Sequence, residues 1–219
     1  MKKIPTLFER TFENHKVVGI TDKVTPGFEW VLEGEGIATI KLDGSCCAII
    51  DGEFYKRYDA KKGKKPPEGA IPCCDPDPVT GHWPHWVKLD ENNPSDKWFF
   101  EAFKMFTKGH SCSDFIENNI FTGVTTFEAV GPHFQGNPYH LEQDTVFAHG
   151  VLTADGLNQR TIFLGAVPLI TGKPRTFEEI RLYLENHEIE GIVFWKDGEP
   201  QCKIKRSDFG FEWPIPVKE

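Results

Sequence analysis

The chain has 219 residues, 39% hydrophobic and 26% charged, with 18 Phe available to build a core, the balance of an ordinary globular protein. No apolar run approaches the roughly 20 residues that span a bilayer. Met1-Lys2-Lys3-Ile4-Pro5 lacks the apolar stretch of a secretory leader, so the expected setting is cytoplasmic, without membrane contact. A net charge of −8 argues against a surface coated uniformly in basic groups, and six cysteines without a leader point to reduced thiols rather than a disulfide framework.

In chain order, Ile37–Ile40 reads as a strand running into Lys41-Leu42-Asp43-Gly44, followed by a second strand over Ser45–Ile50. Asp51-Gly52 is a two-residue hairpin signal, after which alternation resumes through Tyr58. Between Glu53 and Lys65, Lys56, Arg57, Lys61, Lys62, Lys64 and Lys65 face only Glu53 and Asp59, a local basic strip on an acidic chain. Residues 61–94 concentrate Pro, Gly and Asn and are expected to form a long loop. Within it, Cys73-Cys74 with His82 and His85 raises the question of zinc, but the pair is not spaced Cys-x-x-Cys, and a rigid Pro/Trp-rich loop with buried thiols fits better.

Ser95 is placed to cap a helix over Asp96–Phe106 with Phe99, Phe103 and Phe106 on one face. Val124–Val130 and Thr145–Leu152 alternate as strands. Thr176 and Glu179 form a capping box opening a helix over Phe177–His187. Gly191–Trp195 and Gln201–Lys205 pair across Asp197-Gly198 as a last hairpin. The implied class is α+β, a single domain over 1–219 in which antiparallel strands dominate and helices flank them.

Singly, the polar residues on these elements have ordinary readings: a solvated lysine beside a turn, an edge-strand polar face, a helix-end carboxylate. Their order is less ordinary. Lys41-x-Asp43-Gly44 is followed by Arg57, then Phe127-Glu128-Ala-Val-Gly131, then Glu190-Gly191-Ile-Val-Phe194, then Cys202-Lys203-Ile204-Lys205. This order resembles motifs I, Ia, III, IV and V of the covalent nucleotidyltransferases, the superfamily of DNA ligases, RNA ligases and capping enzymes.

The resemblance implies an ATP-grasp-like catalytic domain in which Lys41 is a covalent nucleophile. Lysine attacks phosphorus only as the neutral amine, yet its ordinary pKa is about 10.4, so function near neutrality needs it lowered by roughly 3 units, or about 4 kcal/mol. Lys203 and Lys205 are the cations expected to supply this and to hold the triphosphate. Glu190 is expected to bind Mg²⁺, with Mn²⁺ as an alternative. Asp43, Gly44 and Arg57 are expected to contact the nucleotide and Glu128 the ribose hydroxyls. In the superfamily an aromatic residue about 20 positions past that glutamate stacks on the base; both Phe147 and His149 qualify, and core packing is an equal alternative for Phe147.

Finer features resemble one family, the vertebrate-type ATP-dependent 5′-3′ RNA ligases. They are Lys41-x-Asp43-Gly44-Ser45-Cys46-Cys47, Arg57-x-Asp59, Gly81-His82-Trp-Pro-His-Trp-Val87, Gly136-Asn137-Pro138-Tyr139, His149-Gly150, Ile189-Glu-Gly-Ile-Val193, and the tail Gly210-Phe-Glu-Trp213-Pro214-Ile215-Pro216. The segment 95–122 matches poorly. Only residues 206–219 follow Lys205, which gives the expectation of no OB-fold domain. What the resemblance implies is sealing of RNA 5′-phosphate and 3′-hydroxyl ends through a lysyl-AMP on Lys41 and an adenylylated RNA end. Lys56, Lys61, Lys62, Lys64 and Lys65 would grip RNA phosphates, with Trp83 and Trp86 as stacking platforms. Alternatives are GTP-dependent capping, AMP transfer to a non-RNA acceptor, or a non-catalytic nucleotide- or RNA-binding module.

Overall fold

The computed structural model describes residues 3–14, 16–78, 80–106, 124–149, 170 and 174–216. The contacts fall into two compact units, one around Asp43–His149 and the other built from Ile4–Leu42 and Val167–Glu219.

The first unit is a six-stranded antiparallel sheet. Its strands are β4 (Ser45–Ile50), β5 (Glu53–Ala60), β6 (Ile71–Pro72), β7 (Trp83–Lys88), β8 (Val124–Val130) and β9 (Thr145–Ala148), in the order β6-β7-β5-β4-β8-β9. Asp51 and Gly52 both take positive φ, the geometry that matches the strand twist in a two-residue hairpin and fixes the β4/β5 register. Alternation then sorts the side chains. Cys47, Ile49, Phe54, Phe127, Val146 and Ala148 face a helix, α2 (Lys97–Phe106), and make the core with Phe103 and Phe134. Phe103 meets Phe54 and Phe127 at 5.2 and 5.9 Å between ring centroids, in tilted and edge-on geometry.

The second unit holds a three-stranded sheet, β11-β10-β3, from β3 (Ile37–Lys41), β10 (Gly191–Lys196) and β11 (Glu199–Lys205). It also holds a hairpin of β1 (Phe8–Glu13) with β2 (Lys16–Val24), a single turn α1 (Glu29–Leu32), and α3 (Phe177–Asn186). The capping box is present: the Thr176 hydroxyl accepts from the Glu179 N–H at 3.2 Å, and the Glu179 carboxylate accepts from the Thr176 N–H at 3.0 Å. Ile180 and Leu184 of α3 pack with Ile192, Phe194 and Ile204 of the sheet and Leu7 and Phe8 ahead of it.

Four expectations need correction. The loop over 61–94 contains β6 and β7; Pro84 sits inside β7 opposite Asp59, and its carbonyl still accepts the Cys73 N–H at 2.9 Å, so the missing donor does not interrupt the pairing. Ser95 does not cap a helix from Asp96: the helix begins at Lys97, and the Ser95 hydroxyl donates to Asn93 Oδ1 at 3.0 Å. The last helix ends at Asn186, one residue short, with His187 already extended. β9 ends at Ala148, with His149 already outside it; the rest of the expected strand, residues 150–152, and the segment 107–122 lie outside the described residues. Among the described residues no helix is long and apolar enough to cross a membrane.

Candidate active site

In the second unit, register brings two of the expected lysines together. Gly191 pairs with Lys205 on one side and with Lys41 on the other, so the two lysines flank a glycine in one row of the sheet. With no side chain between them, both amines reach the buried carboxylate of Glu190, just ahead of the strand. Lys41 Nζ donates to Glu190 Oε2 at 2.5 Å and to the Leu42 carbonyl at 3.3 Å, and Lys205 Nζ donates to Glu190 Oε1. One carboxylate thus holds two ammonium groups, each of its oxygens taken by one of them.

Lys203 lies two residues before Lys205 on the same strand face, opposite Val193. Its backbone is clasped from the far side: Lys203 N–H donates to Pro5 O at 3.0 Å and Lys203 O accepts from Leu7 N–H at 2.8 Å. The Lys205 N–H donates to Asp208 Oδ2 at 2.9 Å, and Asp208 is itself paired with Arg10 at 2.9 Å. Asp208 is a positioning residue that the sequence motifs do not single out.

The row also explains Gly191. A Cβ there would stand 2.2 Å from the Ile204 carbonyl oxygen and 3.0 Å from Lys205 Cα, backbone atoms that cannot swing aside. Gly191→Ala is therefore expected to force β10 off β11 and cost about 1–3 kcal/mol in denaturant unfolding; stability unchanged from wild type would contradict the close approach.

Lys41-Leu42-Asp43-Gly44 crosses the boundary between units, with Leu42 the last residue of one segment and Asp43 the first of the other. In the first unit a second row runs across the face opposite α2. Cys46, Glu128 and Phe147 are directly opposite one another on β4, β8 and β9. On β5, Arg57 follows Lys56, whose partner is Cys47, and so borders this row, and His149 follows Phe147 on the same face. Glu128 Oε1 accepts from the Gly44 N–H at 3.1 Å, and Oε2 lies 3.2 Å from His149 Nε2. His149 Nδ1 is 3.2 Å from Thr126 Oγ1. Gly44 is pressed against the β8 end, where a Cβ would meet the Ala129 carbonyl oxygen at 2.2 Å. The Asp43 N–H donates to the Tyr139 phenol oxygen at 2.6 Å; Tyr139, within the Gly-Asn-Pro-Tyr segment, is a further residue that sequence reasoning did not assign to the site.

Two groups in or beside this row are electrostatically displaced. Burial, with the Glu128 charge second, pushes the Cys46 thiol up to about 12. Burial is the largest influence on Arg57 and works against its charge, but the hydrogen bond from its Nε to Asp59 Oδ1 at 2.9 Å, together with the Asp59 charge, Cys46 and Cys73, outweighs it and raises the guanidinium.

The expected phosphate-gripping lysines separate. Lys61, Lys62, Lys64 and Lys65 are exposed. Lys56 points instead to the helix-covered side and pairs with the buried Asp96. Trp86 is buried, so it offers no open face for stacking, and Trp83 donates its indole N–H to the Cys74 carbonyl at 2.6 Å.

No family model matches the chain, and none of the curated proteins does. Among solved structures it is similar to variants of Naegleria gruberi RNA ligase. One, with ATP and Mn, is 18% identical over 92% of this chain and 57% of that one, at a TM-score of 0.49. Another, with AMP and Mn, is 17% identical over 82% and 52%, at 0.48. The chain spans between about half and 60% of the length of the solved structures it matches.

Proposed function

We propose that this chain is an ATP-dependent RNA ligase in which Lys41 carries the AMP. The observation that supports the reading best is the row Lys41–Gly191–Lys205 with Glu190 bridging both amines, because it joins the three motif residues assigned to nucleophile, metal and triphosphate. Lys41 is ion-paired to Glu190; attack requires the neutral amine, so that pair must open before chemistry. Lys41 Nζ then attacks the α-phosphorus of ATP, a P–N bond forms, and the bond to pyrophosphate breaks. Lys203 and Lys205 stabilise the departing charge. An RNA 5′-phosphate oxygen next displaces Lys41 from the same phosphorus. Finally the 3′-hydroxyl attacks the 5′-phosphate, expels AMP and closes the phosphodiester.

Mg²⁺ suits Glu190: it binds through one or two carboxylate oxygens plus substrate phosphates, and Glu190 offers two hard oxygens whose present partners are cations. When bound, the ion would neutralise phosphate charge. Glu128 is assigned to the ribose hydroxyls and either Phe147 or His149 to the base. The vertebrate-type motif set supports RNA as the acceptor. Intact mass spectrometry with ATP and Mg²⁺ tests the first step, and offering GTP instead separates capping: an adduct with GTP alone would overturn the assignment.

Lys61, Lys62, Lys64 and Lys65 are assigned to RNA phosphates; Lys56, tied to Asp96, is left out of that set. Changing the four to Ala is expected to flatten the dependence of log affinity on log salt by up to about 3, at about 0.7 per single-strand phosphate contact. AMP transfer to Lys41 should be untouched. An unchanged salt slope in RNA-binding titrations would remove the cluster from the RNA path.

A further inference from the structure

We propose that Cys46 Sγ, the Glu128 carboxylate and His149 Nε2 form a three-ligand site for a thiophilic divalent cation, Zn²⁺ foremost. The three ligand atoms lie within 4.8 Å of one another, so small side-chain rotations bring them to the roughly 3.5 Å that separates donors around one tetrahedral ion. Register puts Cys46 directly opposite Glu128, and Glu128 Oε2 lies 3.2 Å from His149 Nε2. The imidazole is held from behind. Its Nδ1 meets Thr126 Oγ1 at 3.2 Å, and the His149 N–H donates to the Thr126 carbonyl at 2.9 Å, the support that leaves Nε2 aimed at a metal.

A mixed S, O and N set suits Zn²⁺ and not Mg²⁺, which takes oxygen alone, so this site is chemically distinct from Glu190. Three protein ligands leave a fourth position for water. Cys46 binds as the thiolate, releasing its proton to solvent. Where the sequence drew attention to Cys73-Cys74 with His82 and His85, the group assembled among the described residues is this one. On the reading above, in which Glu128 receives the ribose, an ion here competes with the nucleotide and acts as a brake on AMP transfer.

The test adds Co²⁺ to the metal-free full chain. The expected result is a near-ultraviolet thiolate-to-cobalt charge-transfer band, bleached by one equivalent of Zn²⁺. It should be absent in Cys46→Ser and His149→Ala and kept in Lys41→Ala, so that a failure of the ligase reading leaves this result standing. Thr126→Val should weaken Zn²⁺ binding by about 10–100-fold. No band, or a band that survives Cys46→Ser, overturns the site. Zn²⁺ should suppress AMP transfer in wild type and spare Cys46→Ser; equal suppression in both overturns the competition.

Discussion

Lys41→Ala is expected to leave the chain folded and wholly unable to take up AMP. In wild type, incubation with ATP and Mg²⁺ should add one AMP to the intact mass; in the variant no such species should form. The geometry makes this an all-or-none loss. Lys41 ends β3 in the row with Gly191 and Lys205, and its amine is bonded to Glu190. Removal takes away the only atom assigned to form the P–N bond, whereas losing a stabilising contact would slow the step without abolishing it. Folding should survive, since Lys205 still occupies the other oxygen of Glu190 and the apolar face of the sheet, with Ile192 and Ile204, is unaltered. An adduct of the same mass on the variant would place the nucleophile elsewhere.

Asp96→Ala is expected to lower stability by about 2–3 kcal/mol, or ~5–10 °C in Tm. Asp96 is 2% exposed and collects the Lys56 ammonium, the Asp90 N–H at 3.3 Å, the Asn93 amide at 3.3 Å and the Ser95 hydroxyl at 3.2 Å. Its removal strands Lys56 on the helix side of the sheet, although Lys56 keeps some access to water, which moderates the cost. The pH dependence has a definite sign. Burial alone would raise the Asp96 carboxyl, but Lys56 and the Asp90 N–H outweigh it and hold it below its ordinary range. A depressed folded-state value contributes stability that is fully present above the unfolded value of about 3.9 and is lost as pH falls through the folded one. The gap between wild type and Asp96→Asn in urea unfolding should therefore be constant near neutrality and close in acid. A gap that widens on acidification would mean the carboxylate is not what holds Lys56.

Strands with strict alternation, and both Asp-Gly hairpins, were legible because their causes are local. So was the Thr176–Glu179 capping box, whose residues are three apart. The order of Lys41, Glu128, Glu190 and Lys205 pointed to one chemistry, and sheet register supplies the reason Lys41 and Lys205 meet. What stayed hidden depends on long-range partners. Tyr139 reaches the Asp43 amide across 96 positions, and Lys56 finds Asp96 across 40, neither visible as a spacing. The β1–β2 hairpin alternates weakly and carries Phe12, Val17 and Val18 exposed, so no clean two-faced pattern marked it. β7 was hidden by its own proline.

The hairpin at Asp51-Gly52 acts as a ruler for chemistry some 15 Å of chain away, taking about 3.3 Å per strand residue. Its two left-handed residues set Cys47 opposite Lys56, which in turn puts Arg57 on the side of the row Cys46, Glu128 and Phe147. Neighbouring residues on β5 have opposite assignments, Arg57 to the polar row and Lys56 to Asp96 behind the sheet. A turn longer by one residue would slide β5 by one place and exchange the two faces. The guanidinium would then be swung into the helix side and the ammonium into the row, without a single site residue having been changed. The spacing of that turn is thus as much a specificity element as the residues it aligns.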